Sequence, residues 1–463
     1  MAPQIPIQEK LSRPDSCRMQ ILVIGAGLAG LGTTIACLLA GHDVHVLEAT
    51  HEIREVGAGI QVLPNSSRVL QHWGLEPALT PHMTHPRVCN FITWKGTPIS
   101  SLNFNESAQS YPGTWYRDFH RADLQRCLLE RAQELGAEIT CAARVVDIRV
   151  REDGGLATAV ASDGREWTGD LVVSADGVFG KLTEVMLGRP DPPVKTGDLA
   201  YRVLLSTEEM LKDPELREFV TDPQVNYWLG PDKHAVNYVL RRGELFNMVL
   251  LVPDDIPEES LASTVEGNVQ EMCSLFEGWD PRIQKLLKLC QSVHKWRLCI
   301  RFGDYNWTHP SGAWVMLGDA VHATLPYLAS GAGMAFEDGA VLGECLSRLP
   351  HTSKTSPEFL SAKRHALAVF EKCRKQRTKM VVERGNTQQH FYHLHDGPEQ
   401  EDRDRNMQMV PTPEGEALAW RDPGLAPRLL GYDHVADVDA NWDTVGETLG
   451  DVLGETVGEV ARL

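Results

Sequence analysis

MQILVIGAGLAGLGTTIACLLAGHDVHVLE, residues 19–48, is the stretch that decides the fold. Met19 to Ile24 (MQILVI) is a continuous run that is apolar but for Gln20, the pattern of a strand buried on both faces of a parallel sheet. A helical pattern through Leu39 and a second strand, Val44 to Leu47, come after the glycine loop Gly25-Ala-Gly-Leu-Ala-Gly30. Glu48 then lies 23 positions past Gly25. Strand, G-x-G-x-x-G, helix, strand and terminal acid together form a dinucleotide-binding fingerprint. Gly25 makes the turn, Gly27 admits a pyrophosphate to the backbone N–H groups, and Gly30 lets helix and strand pack closely. Glu48 is placed to accept hydrogen bonds from ribose hydroxyls.

Downstream, RADLQRCLLERAQEL (121–135) spaces its leucines as an amphipathic helix, and strands are expected at 138–150, 157–162 and 170–174. From about 199 to 252 the pattern changes to AYRVLLS, VNYWL, HAVNYVL and LFNMVLLV, extended segments joined by short turns. These read as an inserted antiparallel sheet. Helices near 258–276 and 280–289 and strands at 294–301 and 313–317 lead into a second glycine-rich stretch, LGDAVHATLPYLASGAGMAFED (317–338). A long polar helix is expected over 357–395, and after it an Asp/Glu/Gly-rich tail expected to be largely mobile. Its DTVGETLGDVLGETVGEV recurrence is too short for a solenoid.

The net charge of −18 over 463 residues disfavours nucleic acid and anionic membranes as partners. Ten scattered cysteines with no C-x-x-C pair suggest neither a zinc site nor a disulfide framework, and no metal is expected. The N-terminus lacks a signal-peptide core, and no apolar run is long enough for a membrane span, so a cytoplasmic location is expected. Ala461-Arg462-Leu463 resembles a degenerate peroxisomal signal, with an ordinary tail as the alternative. A homodimer stays open.

GAGLAG at 25–30, SADG at 174–177 and LGDAVHATLP at 317–326, in this order, resemble the single-component FAD-dependent aromatic hydroxylases, most closely their salicylate-hydroxylase-like fungal branch. Further matches are EVGAGIQVLPNSSRVLQHWGL (55–75), HRADL (120–124) and PYLASGAGMAFEDGAVLG (326–343). The resemblance spans roughly residues 19–400. It implies an α/β chain: a Rossmann-like FAD-binding domain (19–88, 104–195 and 295–348), an inserted antiparallel-sheet substrate domain (89–103 and 196–294), and a C-terminal helix and acidic tail (349–463). It makes Gly25, Gly27, Gly30 and Glu48 contacts of the FAD adenosine and pyrophosphate, sets Arg121 along the cofactor, and gives Asp176 a supporting role. Gly180 and Thr183 stand where relatives usually show Ser and Arg, which leaves the docking of NAD(P)H open.

Physical chemistry supports the same reading of the second glycine stretch. Asp319 at a strand end suits the neutral ribityl hydroxyls of a flavin, and Gly331-Ala332-Gly333 lets backbone approach its ring. A helix beginning near Met334 points its positive end at the anionic edge of reduced flavin. Gly57 and Gly59, in REVGAGIQ (54–61), are expected to lie against the flavin edge as a cap. His322 is either catalytic or simply packed.

The implied reaction uses non-covalent FAD, transient NAD(P)H and O2 to hydroxylate a phenolic or related aromatic molecule through a C4a-hydroperoxyflavin. Decarboxylation accompanies it if the substrate is salicylate-like. Alternatives are an epoxidase or dearomatising hydroxylase, or a flavin-dependent reductase without oxygen insertion. A phenol with a pKa of about 10 needs a base or a cation to ionise near neutrality. Arg202 and Tyr238 are the catalytic candidates, with His234 as an alternative base and Trp228 with Asn226 as a wall of the site or core.

Overall fold

The computed structural model describes residues 4–53, 58–151, 155–258, 264–415 and 417–445. Strand Gln20–Ile24 sits in the middle of a five-stranded parallel sheet. Leu171–Ser174 and Trp314–Met316 lie on one side of it, Asp43–Leu47 and Glu138–Thr140 on the other. Its apolar residues Ile21 to Ile24 are buried on both faces, as a continuous apolar run requires. A β-carbon on Gly30 would lie 1.9 Å from the Gly25 carbonyl oxygen, so only glycine lets helix Leu28–Leu39 leave the strand at this angle.

The two glycine-rich stretches meet because their helices pack directly. Phe336, Gly339 and Gly343 of helix Gly331–Ser347 face Gly32, Thr33 and Ala36 of helix Leu28–Leu39, so the contacts advance in step and the helices run parallel. A β-carbon on Gly339 would stand 2.9 Å from the Thr33 nitrogen, and one on Gly343 2.7 Å from Ala36 Cβ. Backbone-close, parallel packing opens both N-termini on the same side. That juxtaposes residues about 300 positions apart in the chain.

The second sheet has eight strands, in the order Thr264–Gly267, Val293–Ile300, Val194–Ser206, Leu245–Pro253, Lys233–Leu240, Val225–Gly230, Val88–Thr93 and Pro98–Asn103. It is antiparallel except where Val225–Gly230 runs parallel to Val88–Thr93, a pairing the expected all-antiparallel sheet did not include. Other expectations also need correction. The run 138–150 is two strands: Glu138–Thr140 ends the parallel sheet, and Val145–Val150 joins a separate three-stranded sheet. In the stretch expected to be helical from 258, Thr264–Gly267 is an edge strand, and helix starts only at Val269 behind the Asn268 cap. The helix expected near Met334 starts at Gly331, because Ala329 in the left-handed region (φ +49°) turns the chain and the Met334 N–H already bonds Ser330.

The long helix spans Pro357–Tyr392. Much of the chain beyond it is ordered: helices Pro398–Gln408, Ala426–Leu430 and His434–Trp442 pack down, with Leu418, Trp420, Leu429 and Leu430 buried. The acidic composition of the tail conceals these widely spaced apolar anchors. The terminal V-G-E/D recurrence from 446 on, with the Ala-Arg-Leu end, lies outside the described residues. Among those residues no helix is long and apolar enough to cross a membrane.

His42 ties the start of the parallel sheet to the end of helix Gly331–Ser347. Its Nδ1 accepts the Met19 N–H at 3.2 Å, so Nε2 carries the hydrogen facing the Leu346 carbonyl at 3.4 Å. Burial, aided by Arg13, pushes its pKa from 6.5 down to about 3. A depressed imidazole contributes stability above the unfolded pKa and loses it as pH falls toward the folded value. Relative to His42→Gln, the wild type is expected to lose about 1.4 kcal/mol per pH unit below about 6.5. Denaturant titrations of both proteins from pH 7 to 4 check this; parallel curves contradict it.

Candidate active site

A cavity of about 310 Å³ lies between the glycine-rich stretches and the eight-stranded sheet. On one side it is lined by Gly27, Arg121, Gly177, Asp319, Gly331 and Ala332, on the other by Arg202, His234, Val236, Tyr238, Val249 and Leu251. The register of the sheet explains the second set. Ala200, Leu251 and His234 form one cross-strand row, Arg202, Val249, Val236 and Tyr227 the next, and Leu204, Asn247 and Tyr238 the third. Period-two alternation turns all three rows to one face. Trp228 and Asn226 fall on the opposite face: Trp228 packs in the core under the Arg282 guanidinium, and Tyr227 lines the cavity in its place.

The remaining candidates divide between the cavity wall and the scaffold behind it. Gly25 (φ +101°) turns beneath the Ala175 carbonyl, where a β-carbon would lie 2.6 Å from the oxygen. Glu48 accepts the Ala26 N–H at 2.8 Å and both the N–H and hydroxyl of Thr50 at 2.8 Å, so it braces the glycine loop. Gly333 faces Asn65 and Ser66 and does not line the cavity. Gly59 lines it, yet its glycine requirement comes from the sheet: a β-carbon would stand 2.5 Å from the Tyr238 ring, and its N–H donates to Asn247 Oδ1 at 2.7 Å. Arg54 to Gly57 of the expected cap lie outside the described residues.

Asp176 is half-buried, and its Oδ2 accepts the Leu182 N–H at 3.2 Å, tying down the next helix. Its carboxylate folds over Gly180, where a β-carbon would lie 2.1 Å from Oδ2, and Thr183 donates to the Ala320 carbonyl at 3.1 Å. Glycine and threonine at these positions therefore serve local packing. His322 is buried away from the cavity, with Nε2 2.5 Å from Asp338 Oδ2.

Sequence reasoning missed the buried ion network beneath this site. Glu337 and Asp338 meet Arg374 at 2.8 and 2.7 Å, and Arg377 reaches Glu337 at 2.7 Å. Burial alone would raise both carboxyls, but the cations overcome it and hold them below the usual range. Asp338 Oδ2 also accepts the Gly318 N–H at 2.9 Å, fixing the residue before Asp319. The adjacent acids of the Phe-Glu-Asp-Gly segment were the available signal; their partners come from the long helix, which no local pattern shows.

The sites fit a bound dinucleotide. Gly27 lines the cavity with no atom within 4 Å of its β-carbon position, which leaves a cradle where a phosphate reaches the helix start. Asp319 is exposed at the cavity and presents an acceptor to hydroxyls. The profile of the FAD binding domain family matches residues 18–384. The chain belongs to that family of flavoproteins. This flavoprotein is 38% identical over 428 residues to the FAD-dependent monooxygenase OpS4 of Beauveria bassiana, covering 91% of this chain and 97% of the relative. It is 32% identical over 425 residues to the 3-amino-4-hydroxybenzoate 2-monooxygenase of Streptomyces cremeus, covering 91% and 98%. Among solved structures, a salicylate hydroxylase substrate complex aligns with a TM-score of 0.73 at 20% identity, over 92% of this chain and 98% of that one, a likeness of fold. The flavoprotein is an FAD-dependent monooxygenase of the aromatic-hydroxylase type.

Proposed function

We propose that this flavoprotein uses NAD(P)H and O2 to hydroxylate a phenolic or related aromatic molecule held between the flavin and the eight-stranded sheet. The observation that supports this most is the one cavity shared by the cofactor loops and a sheet wall on which Val236, Val249, Leu251 and Leu298 surround the polar groups Arg202, Tyr227, His234 and Tyr238. Bound FAD would lie along Gly27, Arg121, Asp319 and Gly331–Ala332, and when reduced by the nicotinamide coenzyme it supplies activated oxygen.

The protein's own groups do the rest. Val236, Val249, Leu251 and Leu298 exclude water around an aromatic ring. The Arg202 guanidinium stacks over Trp296 at 4.8 Å, an orientation suited to an anionic carboxylate or phenolate. Burial pushes the Tyr238 phenol well above its ordinary pKa, so it stays protonated and donates to a substrate oxygen. Burial, then His393, holds His234 well below its ordinary value, leaving a neutral imidazole able to accept a phenolic proton. The hydroxybenzoate-acting relative supports a phenolic acid as the substrate class.

The test is consumption of NADH or NADPH by the holoenzyme against a panel of phenols and phenolic acids. At least one aromatic is expected to stimulate it; no stimulation by any would contradict the reading. With a stimulating phenolic acid, Arg202→Ala is expected to raise KM by about 10- to 100-fold through loss of a charge-assisted hydrogen bond, with the flavin spectrum unchanged. An unchanged KM removes Arg202 from substrate binding.

A further inference from the structure

His234 is joined to a second histidine at the end of the long helix. Its Nδ1 lies 2.7 Å from Nε2 of His393, the residue that ends the long helix. With Nδ1 committed to His393, Nε2 is the ring nitrogen left for the cavity that His234 lines. His393 Nδ1 in turn stands 3.6 Å from Asp198 Oδ2, and His393 also lines an open cleft with His390, His395 and Glu399. The buried imidazole of His234 and the half-buried one of His393 thus bridge the substrate cavity and a solvent-facing cleft.

Three features hold this bridge in place. The His393 carbonyl accepts the Asp232 N–H at 3.0 Å, locking it to the turn beside His234. A register irregularity between Lys195 and Leu199 interrupts the strand where Asp198 sits, as bulges do where a side chain must be re-aimed. Asp198 also accepts the Tyr327 hydroxyl, and the Tyr327 ring stands edge-on to His234 at 4.8 Å.

We propose that His234 and His393 form a proton relay that moves the hydroxyl proton of a bound phenol from the cavity to the cleft, with Asp198 as the local acceptor. This rests on the aromatic-hydroxylase reading above and adds to it the route by which the proton leaves. The phenol O–H breaks as its proton joins His234 Nε2. The Nδ1–H of His234 passes to His393 Nε2, and the Nδ1–H of His393 passes to Asp198 or to water in the cleft. No electrons move, and neither ring holds two protons once the shift is complete.

The surroundings favour neutral rings. His234 faces Tyr227, Tyr327 and Tyr392, with Arg202 and Tyr238 on its own face of the sheet, and His393 faces Asp198, Asp232 and Tyr327. Burial holds His393 down at about 4 and pushes Asp198 up to about 6, so near neutrality the acceptor is ionised and both imidazoles are free to pass protons.

The probe is 4-nitrophenol, whose ionisation is visible directly, mixed with FAD-loaded enzyme in a stopped-flow instrument. His393→Ala is expected to slow ionisation of the bound phenol by about 10-fold or more, with binding and flavin spectrum retained. Added imidazole, entering through the cleft, is expected to restore the rate in His393→Ala; His393→Gln, which fills the space, is expected to be slow and unrescued. Wild-type rates in both variants overturn the relay. Failure of the wild type to bind 4-nitrophenol would count against the aromatic cavity, and the relay is then decided by histidine nitrogen NMR shifts of the holoenzyme. Two neutral rings at pH 7.5 with the hydrogen on His234 Nδ1 support it; an imidazolium at His393 overturns it.

Discussion

Gly27→Val is expected to give a folded protein that no longer retains FAD, with affinity reduced by at least about 100-fold, or about 2.7 kcal/mol. Gly27 has φ −71° and ψ −176°, an extended conformation open to any residue, and no neighbour stands within 4 Å of its β-carbon position. The apo fold therefore has no reason to reject the side chain. The valine would instead occupy the cradle at the N-terminal end of helix Leu28–Leu39, where a pyrophosphate must meet backbone N–H groups. Gly30→Ala is the contrasting variant: its β-carbon meets the Gly25 carbonyl at 1.9 Å, so the strand–helix junction itself is lost. Flavin absorbance after gel filtration, with circular dichroism of the same samples, separates the two. A yellow, fully occupied Gly27→Val protein contradicts the placement of the cofactor.

Arg374→Met is expected to destabilise the protein by about 3–5 kcal/mol, because it leaves buried carboxylates short of a cation. Arg374 and both of its partners are inaccessible to solvent. His322 and Arg377 remain, but neither replaces the bond from Arg374 to Asp338 Oδ1. Asp338 also holds the Gly318 N–H, so flavin retention is expected to fall together with stability. Lys379→Met, which breaks the solvent-exposed pair with Asp304, is expected to leave the denaturation midpoint near that of the wild type. Equal midpoints for Arg374→Met and wild type would show that the network contributes no stability.

The parallel sheet was legible because a short apolar run, a spaced set of glycines and a terminal acid together have one good structural solution. The inserted sheet was legible as strands, and alternation correctly grouped Arg202 with Ala200 and His234 with Tyr238. Alternation states which residues share a face; which face meets the cavity depends on register across strands, and so Tyr227 rather than Trp228 lines it. The meeting of the two glycine stretches was inferred from a shared cofactor, whereas its physical cause is the contact of Gly339 and Gly343 with Thr33 and Ala36. His393 and Arg374 were invisible for a simpler reason. Arg374 is one polar residue on a long polar helix and His393 the residue just past its end, and their partners lie 36 and 159 positions away.

The measurement closest to the central claim is the mass of the product formed by the holoenzyme with NAD(P)H, a stimulating phenolic acid and isotopically labelled O2. One labelled oxygen atom per product molecule is the predicted result. Unlabelled product formed at the same rate without oxygen would contradict it and make the protein a flavin-dependent reductase.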